Sequence, residues 1–342
     1  MKRMVAGYAL ALSVALVGAY QTWTHEGDPD LSGSTVILAG DKEDLVAVEY
    51  DSPTTNVRLA VREDELGAYV WVQATPKKDA VPEPAAAPDN PHGAPKKPVE
   101  NGLPEAFKAG ASGDQLTAGL APFVAKRVLE GVDEAKLDEL GFGEGQGALT
   151  ITRKGREAKT YEVGAKAYGG SNRYVRDSAD GTVYIVASNV LDPLETAKRS
   201  LPDRMLYGFD VTDIERVTIH GGEASATFVQ NNPDDRAARF WAAEGSSEPN
   251  AAAAGWLDKA LRLRVSRYVP EDERPAGLSE AFRYQLMAGR QALEITVLRA
   301  AGDDGEESWY AASPYNRGLV QLQRAAAAET QADLASVLDA GA

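Results

Sequence analysis

Residues 41–50 read DKEDLVAVEY, and residues 210–219 read DVTDIERVTI. In each segment, acidic residues precede a run in which apolar and polar side chains alternate, a pattern typical of a half-buried β-strand. The matched positions, at one constant offset, are Asp41 with Asp210, Asp44 with Asp213, Leu45 with Ile214 and Val48 with Val217. We interpret the two segments as the same part of a module that occurs twice in the chain.

Further matched segments follow in the same order in both halves. They are the second strands with Trp71 and Trp241, the expected helices FVAKRVLEGV (123–132) and WLDKALRLRV (256–265), the strands ALTIT (148–152) and ALEIT (292–296), and the hairpins RYVRDSADGTVYIV (173–186) and SWYAASPYNRGLVQLQ (308–323). An internal duplication places Trp71 and Trp241 at equivalent positions. It does the same for Ala148-Leu149 and Ala292-Leu293.

The pattern within each half predicts the fold class. Turns such as Lys154-Gly155-Arg156 and Ala179-Asp180-Gly181 favour antiparallel hairpins. Helices are expected at 115–140, 190–202, 251–265 and 321–339. We therefore predict an α+β fold, in which an N-terminal transmembrane helix precedes two duplicated modules of mainly antiparallel strands with one or two helices each.

The expected domain boundaries follow from these segments. Residues 1–25 form an N-terminal membrane anchor or signal segment, 35–204 the first module and 205–342 the second. Residues 75–102 are rich in Pro and Ala and nearly free of large apolar side chains. Such a segment buries too little apolar surface to offset its ordering entropy, so a disordered insert is predicted there.

The N-terminal segment predicts the location of the protein. Lys2 and Arg3 precede an uncharged run from Met4 to Thr24, long enough at about 1.5 Å per residue to span a bilayer of about 30 Å. Positive charge before such a run predicts a single pass through the inner (cytoplasmic) membrane. The N-terminus would be cytoplasmic and the bulk of the chain periplasmic or otherwise extracytoplasmic.

Two alternatives to an uncleaved anchor stay open. The small residues Val17-Gly18-Ala19 resemble a signal-peptide cleavage site. A buried soluble helix is the third interpretation. The anchor and the cleaved signal peptide both imply export.

Composition excludes several classes of function. The chain has 51 acidic and 36 basic residues and a net charge of −15. This balance argues against nucleic acid as a partner, since phosphate binding needs clustered Lys and Arg. The absence of cysteine excludes disulfides, thiolate metal sites and cysteine nucleophiles.

Two motifs that resemble catalytic or phosphate-binding sequences are better interpreted as turns. His220-Gly221-Gly222 resembles the oxyanion segment of some esterases, but no G-x-S-x-G nucleophile elbow accompanies it. A strand that ends in a Gly-Gly turn is therefore expected. The Gly-rich run 141–147 follows a helical segment and precedes a strand, the reverse of the order in dinucleotide-binding loops.

Charged clusters are interpreted in the same way. Asp177 and Asp180 lack the alternating ligands of a calcium loop and fit a hairpin turn. The cationic cluster Arg153, Lys154, Arg156 and Lys159 is expected to be a solvated hairpin tip. Contact with lipid headgroups or an acidic partner is the alternative for that cluster. No catalytic, cofactor-binding or metal-binding residue is predicted, no cofactor is expected, and the protein is predicted not to be an enzyme.

The central stretch 173–219 resembles the bacterial domain-of-unknown-function family 4340. The features that carry the resemblance are the Tyr174-Val175 strand, the strand from Val183 to Val186, the turn from Leu201 to Arg204, and the segment from Phe209 to Ile219. Members of this family are often encoded beside ABC-2-type transporter genes of the gliding-motility class. The resemblance supplies no catalytic residues.

The resemblance implies a non-enzymatic, membrane-anchored extracytoplasmic accessory component of an ABC-type transport assembly that acts by protein binding. Its implied partners are the ABC transporter permease and other membrane subunits, with the membrane itself contacted through the N-terminal segment. Two other functions stay open: a cell-envelope hydrolase that uses two carboxylates, and a structural envelope protein.

Overall fold

A computed structural model describes residues 34–77, 105–143, 147–235, 237–301 and 305–341. The predicted anchor or signal segment at 1–25 lies outside the described residues. So does most of the predicted insert at 75–102, although its first two residues end a strand. Among the helices that are described, none has both the length and the apolar character needed to cross a bilayer.

The predicted fold class is wrong. The structure is mostly antiparallel β-sheet, with 46% strand and 22% helix, and the expected N-terminal transmembrane helix is not shown. The helix predicted at 115–140 accounts for much of the difference, because strands form in the middle of this segment. There, strands β6 (Phe123–Ala125) and β7 (Arg127–Leu129) follow one another, because Phe123 and Ala125 are buried while the residue between them is half-exposed.

The first sheet has nine strands, in the order β5-β4-β3-β2-β8-β9-β10-β11-β7. Their bounds are β5 (Glu105–Lys108), β4 (Gly67–Pro76), β3 (Thr55–Asp64), β2 (Leu45–Asp51), β8 (Gly147–Arg153), β9 (Lys159–Lys166), β10 (Asn172–Asp177), β11 (Val183–Ala187) and β7. All neighbouring strands in this sheet are antiparallel. A separate pair is formed by β1 (Thr35–Leu38) and β6.

The second sheet has eight strands, in the order β14-β13-β12-β16-β17-β18-β19-β15. Their bounds are β14 (Phe240–Ala243), β13 (Ala224–Asn231), β12 (Arg216–Gly221), β16 (Ser279–Ala288), β17 (Gln291–Ala301), β18 (Glu307–Ser313), β19 (Gly318–Leu322) and β15 (Val265–Tyr268). Apart from the extra edge strand β5, the two sheets have the same strand order. The first sheet is built entirely from residues 45–187 and the second from residues 216–322.

Three of the matched pairs of segments are not equivalent in the structure. In the pair predicted as helices, FVAKRVLEGV (123–132) forms β6 and β7, whereas most of WLDKALRLRV (256–265) lies in the helix Ala251–Leu261. Val48 pairs with Leu59 of β3, and Val217 pairs with Phe228 of β13, so Leu59 and Phe228 are equivalent. Two residues further along these strands, Val61 is equivalent to Gln230. Val61 pairs with Val70, whereas Gln230 pairs with Trp241. Trp241 is therefore equivalent to Val70. Since successive strand residues point to opposite faces, Trp71 lies on the other face, and the predicted equivalence of the two tryptophans is wrong.

The match of ALTIT with ALEIT is also wrong. ALTIT lies in β8, which pairs with β2 through Leu149 and Tyr50. ALEIT lies in β17, which pairs with β16 and β18 and is one strand further from β12. Both segments have the period of a half-buried strand, so the sequence similarity does not distinguish one strand position from the next.

The hairpin match holds. β10 and β11 occupy the same positions in the first sheet as β18 and β19 in the second. Gly181 turns the first hairpin with φ of 77°, and Arg317 has φ of 56° in the turn before Gly318. These turns are local, which is why the sequence predicts them well.

Short helices pack against both sheets. The α-helices are α1 (Ala111–Gly119), α2 (Glu134–Glu139), α3 (Asp192–Glu195), α4 (Ala197–Ser200), α5 (Ala251–Leu261), α6 (Arg324–Ala332) and α7 (Leu334–Asp339); the 3-10 helices are η1 (Lys42–Asp44), η2 (Ser188–Val190), η3 (Val211–Asp213) and η4 (Glu271–Glu273). The helices predicted at 190–202, 251–265 and 321–339 are therefore present in shorter form. One hydrophobic core extends through both halves of the molecule.

The packing of α5 shows how a helix is held on its sheet. Trp256 is buried, with edge contacts to Phe282 (centroids 5.6 Å apart) and Tyr284 (5.8 Å) of β16. Its indole N–H donates to the carbonyl of Thr330 on α6 at 2.9 Å. The ring thus buries a large apolar area while its single polar group stays hydrogen-bonded.

Candidate functional site between the two modules

The chain passes from the first sheet to the second through a partly buried linker, residues 201–210. The amide of Asp203 donates to the carbonyl of Lys108 on edge strand β5 at 2.9 Å. On its other side, Val265 of edge strand β15 donates its amide to the carbonyl of Arg204 at 2.9 Å. The linker therefore lies between one edge of each sheet and bonds to both.

A buried ion pair fixes the linker to the first sheet. Lys108 Nζ lies 2.5 Å from Asp203 Oδ2, and each residue is 6% exposed. Asp203 also accepts hydrogen bonds from the Tyr315 hydroxyl at 2.6 Å and from the Met205 amide at 3.0 Å. Lys108 Nζ lies 3.6 Å from the centroid of the Tyr315 ring. One carboxylate thus joins β5, the linker and the β18–β19 turn.

Burial perturbs the ionisation of this cluster. It lowers the pKa of Lys108, while the hydrogen bond to Asp203 opposes that shift. Burial raises the pKa of Tyr315, and its hydrogen bond to the Asp203 carboxylate raises it further. Tyr315 therefore stays neutral at physiological pH and keeps donating to Asp203.

A glycine lets the ring of Tyr315 come close to the linker. A Cβ built on Gly208 would lie 2.5 Å from Cε2 of that ring, closer than real Cβ contacts. No larger residue fits at this position without displacing Tyr315.

A second ion pair joins the modules nearer the surface. Arg317 contacts Asp64 at the end of β3 through two parallel bonds, Nε to Oδ2 at 2.8 Å and Nη2 to Oδ1 at 2.9 Å. The guanidinium lies 4.1 Å from the centroid of the Tyr69 ring on β4. The hydrogen bonds from Arg317 lower the pKa of Asp64. Bidentate geometry of this kind fixes orientation as well as distance.

A cavity of about 400 Å³ opens beside these two ion pairs. Its walls come from both modules and the linker: Leu66 of the β3–β4 turn, Lys108, Phe209, Leu293 of β17, Tyr315 and Arg317. Leu66 is 53% exposed, a high value for a large apolar side chain. The lining combines apolar, aromatic and charged groups. It suits recognition of a protein segment or an organic ligand.

The residues singled out in the sequence lie away from this cavity. His220 lies on β12 opposite Ser225, and the turn that follows contains Gly222 with φ of 61°, as expected for a strand ending in a Gly-Gly turn. Asp177 accepts the amide of Ala179 at 2.8 Å, and Asp180 accepts that of Thr182 at 2.8 Å. Both carboxylates therefore stabilise a hairpin turn, as predicted. Within the described stretches, no group of three or more His, Cys, Asp or Glu residues could hold a metal ion.

The cationic cluster is only partly the solvated hairpin tip that the sequence predicts, because Lys154 and Arg156 are exposed in the turn but Arg153 is buried and Lys159 is half-buried. Arg153 is 3% exposed and donates to the carbonyl of Leu120 at 2.7 Å and to that of Asp41 at 3.4 Å. Lys159 pairs with Asp177 at 3.0 Å. Arg153 was misjudged because the loop from 120 to 125 folds over this end of the sheet, which is a long-range contact.

The residues of the inter-module cluster could not be predicted from the sequence. Lys108 and Asp203 are 95 residues apart, and Asp64 and Arg317 are 253 apart, so no local pattern links them. One signal was present. The turn from Leu201 to Arg204, which carries part of the family resemblance, contains Asp203.

Comparison with known proteins and families gives one match, which covers part of the chain. No curated protein and no solved structure matches this chain. The sequence model of one family matches residues 114–281, from α1 of the first module to β16 of the second. The matched stretch includes the linker and Asp203. Residues 114–281 thus match the family described as Domain of unknown function (DUF4340), and the resemblance predicted from the sequence is confirmed.

Proposed function

We propose that this protein works by binding, as an extracytoplasmic accessory component of an ABC-type transport assembly, and that it contacts the permease through the inter-module cavity. The observation that carries the proposal is the composition of that cavity. Leu66 is half-exposed at its rim, with Phe209, Tyr315 and Arg317 in its walls. Aromatic residues and arginine are the types enriched at protein interfaces.

The ion pairs beside the cavity support a binding role. Lys108–Asp203 and Arg317–Asp64 each connect the first sheet to a segment outside it. They hold the two walls of the cavity at a fixed separation before a partner arrives. A pre-organised surface loses less conformational entropy on association, which favours affinity.

The association with an ABC transporter rests on the family. The resemblance implies such a partner, and the match over residues 114–281 supports the resemblance itself. Location outside the cytoplasm rests on Lys2 and Arg3 before an uncharged run, a pattern that favours export. Added protease should then digest the chain in spheroplasts.

Co-purification tests the proposal. The full chain, expressed with its permease and ATPase and purified in mild detergent, should retain both subunits. Leu66→Asp should reduce their recovery by about tenfold or more, because it places a charge in an apolar contact. Tyr168→Asp is the matched control, since Tyr168 is a fully exposed aromatic residue at the opposite end of the same sheet. Isolation of the chain without either subunit, or equal recovery with both variants, would refute the proposed contact.

A further inference from the structure

A second cavity, of about 440 Å³, lies within the second module. It is lined by residues from η3, from the strands β13 and β14, from α5 and from the linker, and it shares no lining residue with the inter-module cavity. The side chains that matter here are Val211, Gln230, Arg239, Trp241, Arg262 and Arg264.

The floor of this cavity carries an unpaired hydrogen-bond acceptor. Gln230 is 7% exposed, and its Nε2 donates to the carbonyl of Val211 at 3.1 Å. Its Oε1 is buried and accepts no hydrogen bond in the described part of the chain. Buried polar atoms without a partner are rare in native proteins, and each calls for an explanation. A ligand with an N–H or O–H donor supplies one.

The rim of the cavity is cationic, although the chain as a whole is acidic. Arg239, Arg262 and Arg264 line it, and Asp258 is the one acidic side chain among its described lining residues. Asp258 pairs with Arg262 at 2.9 Å. Arg264 bonds to the carbonyls of Leu261 and Leu263, at 3.1 and 3.0 Å, which orients it without neutralising it. The rim therefore favours an anionic group, and guanidinium suits carboxylate well.

One wall is aromatic. Trp241 is buried and belongs to the main core, and Tyr207 and Leu261 lie beside it in the lining. A flat apolar group in the cavity would pack against the indole ring. Such contacts add to the affinity of aromatic ligands.

The first module has an equivalent cavity that lacks these features. It is lined by Lys42, Val61, Val70 and Asp114, among others, and has about 490 Å³. Val61 and Val70 form the cross-strand pair that corresponds to Gln230 and Trp241. Lys42 is paired with Asp114 at 3.1 Å. Of the two equivalent cavities, only the second therefore has the buried amide, the indole wall and the cationic rim.

We propose that the second cavity binds a small aromatic organic carboxylate that carries an N–H donor. The carboxylate contacts Arg239 and Arg264, the ring packs on Trp241, and the N–H donates to Gln230 Oε1. This site is independent of the contact with the permease, so either proposal can fail without the other.

Calorimetric titration of the full chain in mild detergent tests this site. The probe is N-acetyl-L-phenylalanine, and its C-terminal amide, which lacks the carboxylate, is the comparison ligand. The acid should bind at least about tenfold more tightly than the amide, because the amide lacks the charge-assisted bonds to arginine. Gln230→Val and Arg239→Gln should each weaken binding of the acid by about tenfold. Gln230→Val is expected to fold, because the equivalent position of the first module holds valine.

Arg62→Gln is the matched control, since Arg62 lines the equivalent cavity of the first module. It should leave the affinity unchanged. The proposal is overturned if the wild-type chain does not bind the acid at millimolar concentration, or if acid and amide bind equally. Equal weakening by Arg62→Gln and Arg239→Gln would also overturn it.

Discussion

The two modules have the same strand order but differ in the residues that line their equivalent cavities. Eight strands follow the same order in both sheets, and a short 3-10 helix precedes the first shared strand in each. The equivalent cavities differ: Val61 and Val70 in the first module correspond to Gln230 and Trp241 in the second. Strand order is constrained by backbone hydrogen bonding, whereas individual lining residues are free to change. A function specific to one module is therefore expected to depend on its lining residues and not on the strand order that both modules share.

The edges of the sheets differ as well. The first sheet carries the additional strand β5, which covers β4 and supplies Lys108 to the linker. The outermost strand on that side of the second sheet is β14, which is flanked by α5. The extra strand thus supplies part of the surface through which the two modules meet, beside the contact of Arg317 with Asp64.

The largest expected effect comes from breaking this meeting surface. Lys108→Ala should reduce the free energy of unfolding by about 3–5 kcal/mol, because it leaves the buried carboxylate of Asp203 without its cation. Urea denaturation measures the loss. Asp114→Ala, which removes the exposed partner of Lys42, should cost less than about 1 kcal/mol.

A double variant distinguishes the effect of an unpaired buried charge from the effect of lost side-chain packing. Lys108→Met combined with Asp203→Asn leaves no buried charge and should recover part of the stability lost in Lys108→Ala. Equal destabilisation by Lys108→Ala and Asp114→Ala would show that the buried pair does not hold the modules together.

A smaller loss of stability is expected at Gly164, where the segment 140–142 packs on the face of the first sheet that points away from the main core. Gly164 of β9 is equivalent to Leu298 of β17, which packs in a small separate hydrophobic cluster. A Cβ on Gly164 would lie 2.6 Å from the carbonyl oxygen of Leu140. Gly164→Ala should therefore cost about 1–3 kcal/mol, since a backbone atom must move.

Thermal unfolding of Gly164→Ala checks this difference between the modules. Gly155→Ala supplies a comparison, because it strains a hairpin turn with φ of 67° but meets no neighbouring atom. If Gly164→Ala were as stable as the wild type, the loop would not pack tightly on β9.

The smallest effect concerns the ion pair near the surface and its dependence on pH. The folded-state pKa of Asp64 is lowered by Arg317, so this pair contributes stability above the unfolded pKa of about 3.9. The contribution is lost as pH falls through the lower, folded pKa. The difference in Tm between the wild type and Arg317→Gln should therefore be present at pH 7 and shrink below about pH 4. A difference that grows on acidification would contradict the assignment.

Local features could be predicted from the sequence, and long-range ones could not. The hairpins at 173–186 and 308–323 were predicted correctly because a turn residue and two alternating runs lie close together. The α+β prediction failed partly at 115–140, where an apolar run compatible with a helix forms strands β6 and β7 through pairing with distant residues. Short apolar runs do not distinguish the two structures by periodicity.

Local sequence patterns also could not predict the strand register or the candidate site, because both depend on contacts between distant segments. A shift of one residue moves Trp71 to the opposite face from Trp241, although the surrounding sequences look alike. The inter-module cluster joins Lys108, Asp203 and Tyr315 from three distant segments. The turn that holds Asp203 carries part of the family resemblance, but no local pattern in the sequence indicates its contacts.

Hydrogen exchange most directly tests the central claim that both modules together form the surface that a partner binds. The full chain would be compared alone and in complex with the permease and ATPase, in the same detergent. The amides of Glu65, Leu66 and Ala68 in the first module and of 291–293 in the second should both become protected in the complex, because these residues line the inter-module cavity. Protection confined to one module, or located instead around Tyr168, would contradict the account.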